Sequence, residues 1–155
     1  MYLGIVRGLA AGAAGTTALH AMTYADMAVR ARPASSTPDE VVDRLAENLG
    51  HPVPGSGSGR ESRLSGLGAL SGIAVGCGVG SAVALTRRAG VRLPLWLGGL
   101  VTGALAMAAT DLPMARLGVS DPRSWSAVDW TSDVLPHVVY GLVTYGLITA
   151  GDRRT

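Results

Sequence analysis

The sequence predicts an all-α, multi-pass membrane protein with four transmembrane helices and a short amphipathic helix in the first long loop. Three observations carry this. Charged residues make up only 15% of the 155 residues, against roughly 25% in a soluble globular domain. Mean hydropathy is positive, at +0.32. The 13 basic and 11 acidic side chains are unevenly placed, leaving residues 8–25, 64–86, 93–110 and 134–151 without a charge. Each stretch reaches the ~17–18 apolar residues that a bilayer crossing requires. The expected spans are residues 3–29, 64–85, 94–110 and 133–150, in a single membrane domain over residues 1–155 with both termini on one side.

In the first span a lone arginine, Arg7, precedes an apolar run too long for the h-region of a signal peptide, so a membrane helix is expected there. In the loop that follows, Thr37-Pro38-Asp39-Glu40 combines an N-cap threonine, proline at the first helical position and glutamate at N3, the pattern of a capping box. Val41, Val42, Leu45, Ala46 and Leu49 then recur at helical spacing opposite Asp43, Arg44 and Glu47. This predicts an amphipathic helix over residues 38–49, lying on the membrane surface or over the bundle. Gly50 and His51-Pro52 end it, and residues 54–59 (PGSGSG) read as a flexible linker. Between the third and fourth spans, Asp121-Pro122 is a second helix-start signal, with Trp125 and Trp130 expected as anchors at headgroup level. Ser132 is the expected N-cap of the fourth span, which would leave Pro136 in the first turn, where proline is tolerated.

Composition also excludes other classes. A single cysteine, Cys77, rules out an intramolecular disulfide and a Cys-based zinc or iron–sulfur site within one chain. The net charge of +2 comes without a basic tract, so no nucleic-acid partner is expected. Every basic residue is arginine, and lysine and phenylalanine are absent, a bias toward GC-rich codons that points to a high-GC bacterial source. Arg7, Arg87, Arg88, Arg92, Arg153 and Arg154 flank the side with the termini, in shorter segments than the seven arginines opposite. That density places both termini on the cytoplasmic side of a bacterial inner membrane.

Two patterns single out candidate functional residues. One is glycine at four-residue spacing: Gly68, Gly72, Gly76 and Gly80, then Ala84, in the second span, Gly4, Gly8 and Gly12 in the first, and Gly99 and Gly103 in the third. Residues four apart share a helix face, and glycine lets another backbone approach closely where lipid removes the usual hydrophobic drive. Packing within the chain is the favoured reading. Three glycine-bearing helices nevertheless exceed what one small bundle needs, and the excess points to other integral membrane proteins as partners, in a hetero-complex rather than a homo-oligomer.

The other pattern is polar. His20, Tyr24, Asp26 and Arg30 close the first span, Asp111 closes the third, and Asp129, Asp133 and His137 precede or open the fourth. The four-span topology gathers them in one half of the membrane. His20 with Tyr24, Asp26 with Arg30, and Asp133 with His137 each sit one helical turn apart. Ionisable groups inside a membrane are functional candidates. The set lacks metal-ligand spacing of the H-E-x-x-H type, and a bis-histidine haem would need His20 and His137 at one depth, whereas they differ by about two turns. No catalytic Ser/His/Asp or Cys/His arrangement stands out. A proton or cation pathway and a structural hydrogen-bond network remain, the network being favoured; no metal and no cofactor is expected.

Residues 11–19 (AGAAGTTAL), 23–27 (TYADM) and 30–38 (RARPASSTP), with a second block at 121–125 (DPRSW), 129–130 (DW) and 133–137 (DVLPH), resemble a group of small four-helix actinobacterial inner-membrane proteins. The resemblance implies an inner-membrane location and four helices, and it assigns no catalytic residue. Some small proteins of this kind serve as accessory subunits of envelope machines, lipid-import transporters among them. The expected function is therefore that of a non-enzymatic accessory or stabilising subunit of a larger membrane complex. The alternative is a small oligomeric ion or solute channel or transporter using the polar cluster, and a third reading is a metal- or haem-bound membrane enzyme.

Overall fold

The computed structural model describes residues 2–152, so Arg153 and Arg154 of the charge comparison lie outside the described residues. It is all-α: α1 (Tyr2–Arg30), α2 (Thr37–Asn48), α3 (Gly57–Arg88), α4 (Leu95–Arg116), a single 3₁₀ turn at Pro122–Ser124, and α5 (Ala127–Asp152). Helices α3, α4 and α5 are long and apolar enough to cross a membrane. α1 has 29 residues, about 43 Å of helix against a hydrocarbon core of ~30 Å, but it is less apolar than those three. α1 packs against α3 on one side and α5 on the other, and its buried residues are the small Gly4, Gly8, Ala11, Gly12, Gly15 and Thr16, which let the neighbouring helices come close.

α4 packs on α5, away from α1, and α2 lies over the start of α3. The bundle thus has one end at the α3–α4 turn and another where α2 and the 3₁₀ turn lie, called here the loop side. At that end the helices run further than their charge-free stretches. α3 begins at Gly57, so half of the expected linker is helical; the Arg63 guanidinium donates to the Pro54 carbonyl at 2.8 Å and Arg60 Nε to that of Val53 at 3.3 Å, tying the turn down. α4 continues through Pro113 to Arg116.

Helix caps also shift. The N-cap of α2 is Ser36, one residue before Thr37, and its hydroxyl donates to Glu40 Oε1 at 2.6 Å. Six residues ahead of Ser132, a reciprocal pair starts α5. The Ser126 amide and hydroxyl donate to Asp129 Oδ2 at 2.9 and 2.7 Å, and the Asp129 amide donates back to the Ser126 hydroxyl at 3.2 Å. Ser132 is therefore inside the helix, donating to the Val128 carbonyl at 2.8 Å, and Pro136 is interior as well. Asp121 does start the 3₁₀ turn: its carboxylate accepts from the Arg123 amide at 3.0 Å, and the Arg123 guanidinium holds it below the usual carboxylate range. Trp125 and Trp130 meet edge to face at 5.2 Å between ring centroids.

Candidate functional site at the loop side

Two glycine-lined seams set the helix positions from which the polar residues project. In the α1–α3 seam, a Cβ on Gly8 would strike the backbone of Gly80 and Ser81, one on Gly12 that of Gly76, and one on Gly80 the Gly8 carbonyl. In the α4–α5 seam, Gly103 meets the His137 backbone, Gly99 meets Leu142, and Gly141 meets the backbones of Gly99 and Gly103. Gly4 lies against the Arg88 side chain and Gly68 against Asp39 of α2, whereas Gly72 has open space beside it. Gly141 escapes the four-residue pattern because it stands apart from other glycines of matching register.

Two tyrosines lock the bundle across these seams. Tyr140, 1% exposed, donates its hydroxyl to the Gly76 carbonyl at 2.6 Å, and its ring packs on Gly15, so α5, α1 and α3 are fixed at one level. At the opposite end the Tyr145 hydroxyl donates to the Leu93 carbonyl at 3.0 Å and accepts from the Leu93 amide at 2.9 Å and from Arg87 at 2.5 Å. Both partners are distant in sequence, so nothing in the local pattern marks these contacts.

On the loop side the polar residues fall into separate sets. His20 and Tyr24 form a tilted ring pair with centroids 5.9 Å apart. Asp26 accepts from Arg30 at 2.5 and 2.6 Å and from Arg32 at 2.7 Å, and Arg30 also donates to the Ser132 hydroxyl at 2.5 Å, joining the end of α1 to α5. Arg32 and Ser132 are additions to the expected cluster; the chain's turn after Arg30, with Ala31 at φ 50, brings Arg32 back over Asp26. Asp129 is occupied by its cap and lies within the field of Arg30.

The third set joins α4 to α5. His137 Nδ1 donates to the Asp133 carbonyl at 2.8 Å and lies 3.2 Å from Asp133 Oδ1. Asp111, whose Oδ1 is 3.4 Å from a Thr110 hydroxyl that donates to the Met107 carbonyl at 2.9 Å, stands beside both. The His137 side chain is 12% exposed and Asp133 22%, and among the described residues the buried Asp133 Oδ2 has no hydrogen-bond partner. Two carboxyl groups and an imidazole in one low-dielectric place can share protons, or can simply hold two helices together. Among the described residues, no group of three or more His, Cys, Asp or Glu side chains is arranged to hold a metal ion. Comparison with protein-family models, with curated proteins and with solved structures finds no match, so the chemistry of the site rests on its own geometry.

Proposed function

We propose that the chain is a non-enzymatic accessory or stabilising subunit of a larger complex in a bacterial inner membrane, built on four spans with both termini in the cytoplasm. One observation carries the reading. The glycine stripe of α3 is used within the chain by Gly68, Gly76 and Gly80, yet a second small-residue ridge, Ala74, Gly78 and Ala82, is exposed on another face, where a Cβ on Gly78 would meet no other element among the described residues within 4 Å. Small residues at four-residue spacing on an outer face of a membrane helix favour close approach by another helix, and glycine there otherwise only weakens the helix. The fourth span is α1, which lies between two membrane helices and so crosses with them.

Purification from native membranes in mild detergent tests the partner. Other integral membrane proteins should copurify with the wild type and be lost with Gly78→Leu, at unchanged abundance of the chain itself. A wild type that runs alone, or a variant that keeps its companions, overturns the reading. Topology is checked in a Cys77→Ala background: cysteines at Ser58 and Ser124 should label from one side of the membrane and a cysteine at Ala89 from the other.

The Asp111–Asp133–His137 set favours a second reading, a small oligomeric channel or transporter. It requires a homo-oligomer, and it requires Asp111→Asn to stop ion flux while the protein remains abundant.

A further inference from the structure

We propose that the seam between α2 and α3 binds one anionic phospholipid of the bilayer. The inference rests on α3 crossing the membrane and is independent of any protein partner. Val42 and Ala46 of α2 face Leu67 and Leu70 of α3 across an open groove of about 580 Å³, with His51 and Arg63 lining it as well. No lining residue is acidic.

The groove has the polarity of a phospholipid. Arg63 is the last charged residue before the charge-free stretch of residues 64–86. Leu67 and Leu70 follow about one and two turns deeper, and they are 43% and 62% exposed. The exposed Ile73 continues the apolar strip beyond them. A cation therefore sits at headgroup level above an apolar track that descends into the hydrocarbon. An acyl chain fits the track, and a phosphate fits the guanidinium.

Arg63 is also held ready. Its neighbour Arg60 is occupied by Asp43 at 2.5 Å, but among the described residues Arg63 has no acidic partner. Its Nη1 donates to the Pro54 carbonyl at 2.8 Å, which fixes the guanidinium without neutralising it. Gly55 lets this happen. Its φ of +100° is one that side chains rarely adopt, and a Cβ there would run into Arg63 Nη1. A guanidinium positioned before its ligand arrives loses less entropy on binding.

The test uses the full chain in nanodiscs of equal phosphatidylglycerol and phosphatidylcholine, followed by native mass spectrometry of the lipids retained. The wild type should keep a single phosphatidylglycerol, preferred about fivefold over phosphatidylcholine, the value expected of one well-placed arginine. Arg63→Gln should erase that preference and Gly55→Ala should reduce it. Arg44→Gln, which removes the same charge from the exposed side of α2, should leave it intact. Gly66→Leu places a side chain in open space at the groove and should expel the lipid with no change of charge, so it carries the test if Arg63→Gln fails to fold by circular dichroism. Equal retention of the two lipids by the wild type overturns the proposal, as does a preference that survives Arg63→Gln in a folded protein. So does a dimer that Gly66→Leu dissolves, since the groove would then hold a second copy of the chain.

Discussion

Along α1 and α3, Gly8 and Gly12 interlock with Gly76 and Gly80; along α4 and α5, Gly99 and Gly103 interlock with Gly141, so both seams set backbone against backbone. Toward the loop side they diverge. On α3, a Cβ on Gly76 would meet Thr16 of α1 and one on Gly68 would meet Asp39 of α2, while one on Gly72 between them would enter open space, which marks where one neighbour hands over to the other. α4 and α5 do not separate in this way; they stay together and bring the partly buried Asp111, Asp133 and His137 side by side. The same small-residue device therefore ends in an open groove on one side of the molecule and in a closed polar contact on the other. Steric fit governs the first part of each seam, and the matching of charges and hydrogen bonds governs the end of the second.

The largest effect is expected where the fit is tightest. Gly80→Leu would drive a side chain into the Gly8 carbonyl, a backbone atom that cannot rotate away. Overpacking a well-fitted core costs about 1–3 kcal/mol when side chains can yield, and here the loss should reach or exceed the upper end of that range. Gly72→Leu belongs to the same sequence stripe yet enters open space, so it should leave membrane abundance and thermal stability in detergent unchanged. Equal behaviour of the two variants would erase the distinction between used and unused positions of the stripe.

Much of this arrangement is legible in the sequence. The charge-free stretches locate the four long helices, three of them apolar enough to cross a membrane, because a charge in hydrocarbon is costly, and spacing alone pairs Asp26 with Arg30 and Asp133 with His137. Helix ends are less legible, since charges mark where the apolar environment stops and a helix can continue past that level, as α3 does from Gly57 and α5 from Ala127. The early start of α5 is written in the capping-box spacing of Ser126 and Asp129, a stronger signal than the isolated Ser132 because each residue satisfies the other's amide. The contacts of Tyr140, Tyr145 and Arg32 are beyond reach for another reason. Their partners are the Gly76 carbonyl, the Leu93 backbone and a carboxylate reached only by a chain reversal, and none of these leaves a local pattern.

An intermediate effect is expected at the polar end of the α4–α5 seam. Asp111→Asn and His137→Gln keep the shape of the contact while changing its charge and proton inventory. If the set holds the helices together, each should lower stability by about 1–3 kcal/mol, because buried partners lose their match. Abundance should then fall in step with any transport activity. A stable His137→Gln protein with flux abolished would assign the set to conduction and would favour the channel reading over the accessory one.

The smallest measurable loss is expected at Asp26, where two arginines share one carboxylate on the exposed end of α1. Each arginine can stand in for the other, so Arg30→Gln and Arg32→Gln should each cost little, and the double variant should lose more than the sum of the two. Arg30 additionally holds Ser132 of α5, whereas Arg32 bonds, among the described residues, to Asp26 and to the carbonyl of its neighbour Pro33. Of the single variants, Arg30→Gln should therefore be the more damaging, by the part of its loss that Ser132→Ala also produces. Double-mutant cycles over the three pairs of Arg30, Arg32 and Ser132, read by thermal unfolding in detergent at low and moderate salt, separate these contributions. The Arg–Asp part should fade as salt rises, since the group is partly exposed, and the part through Ser132 should persist. If Arg32→Gln proves the costlier change, the chain reversal after Arg30 fixes the end of α1 more than its contact with α5 does, and the closed polar side of the bundle extends no further than the Asp111–Asp133–His137 set.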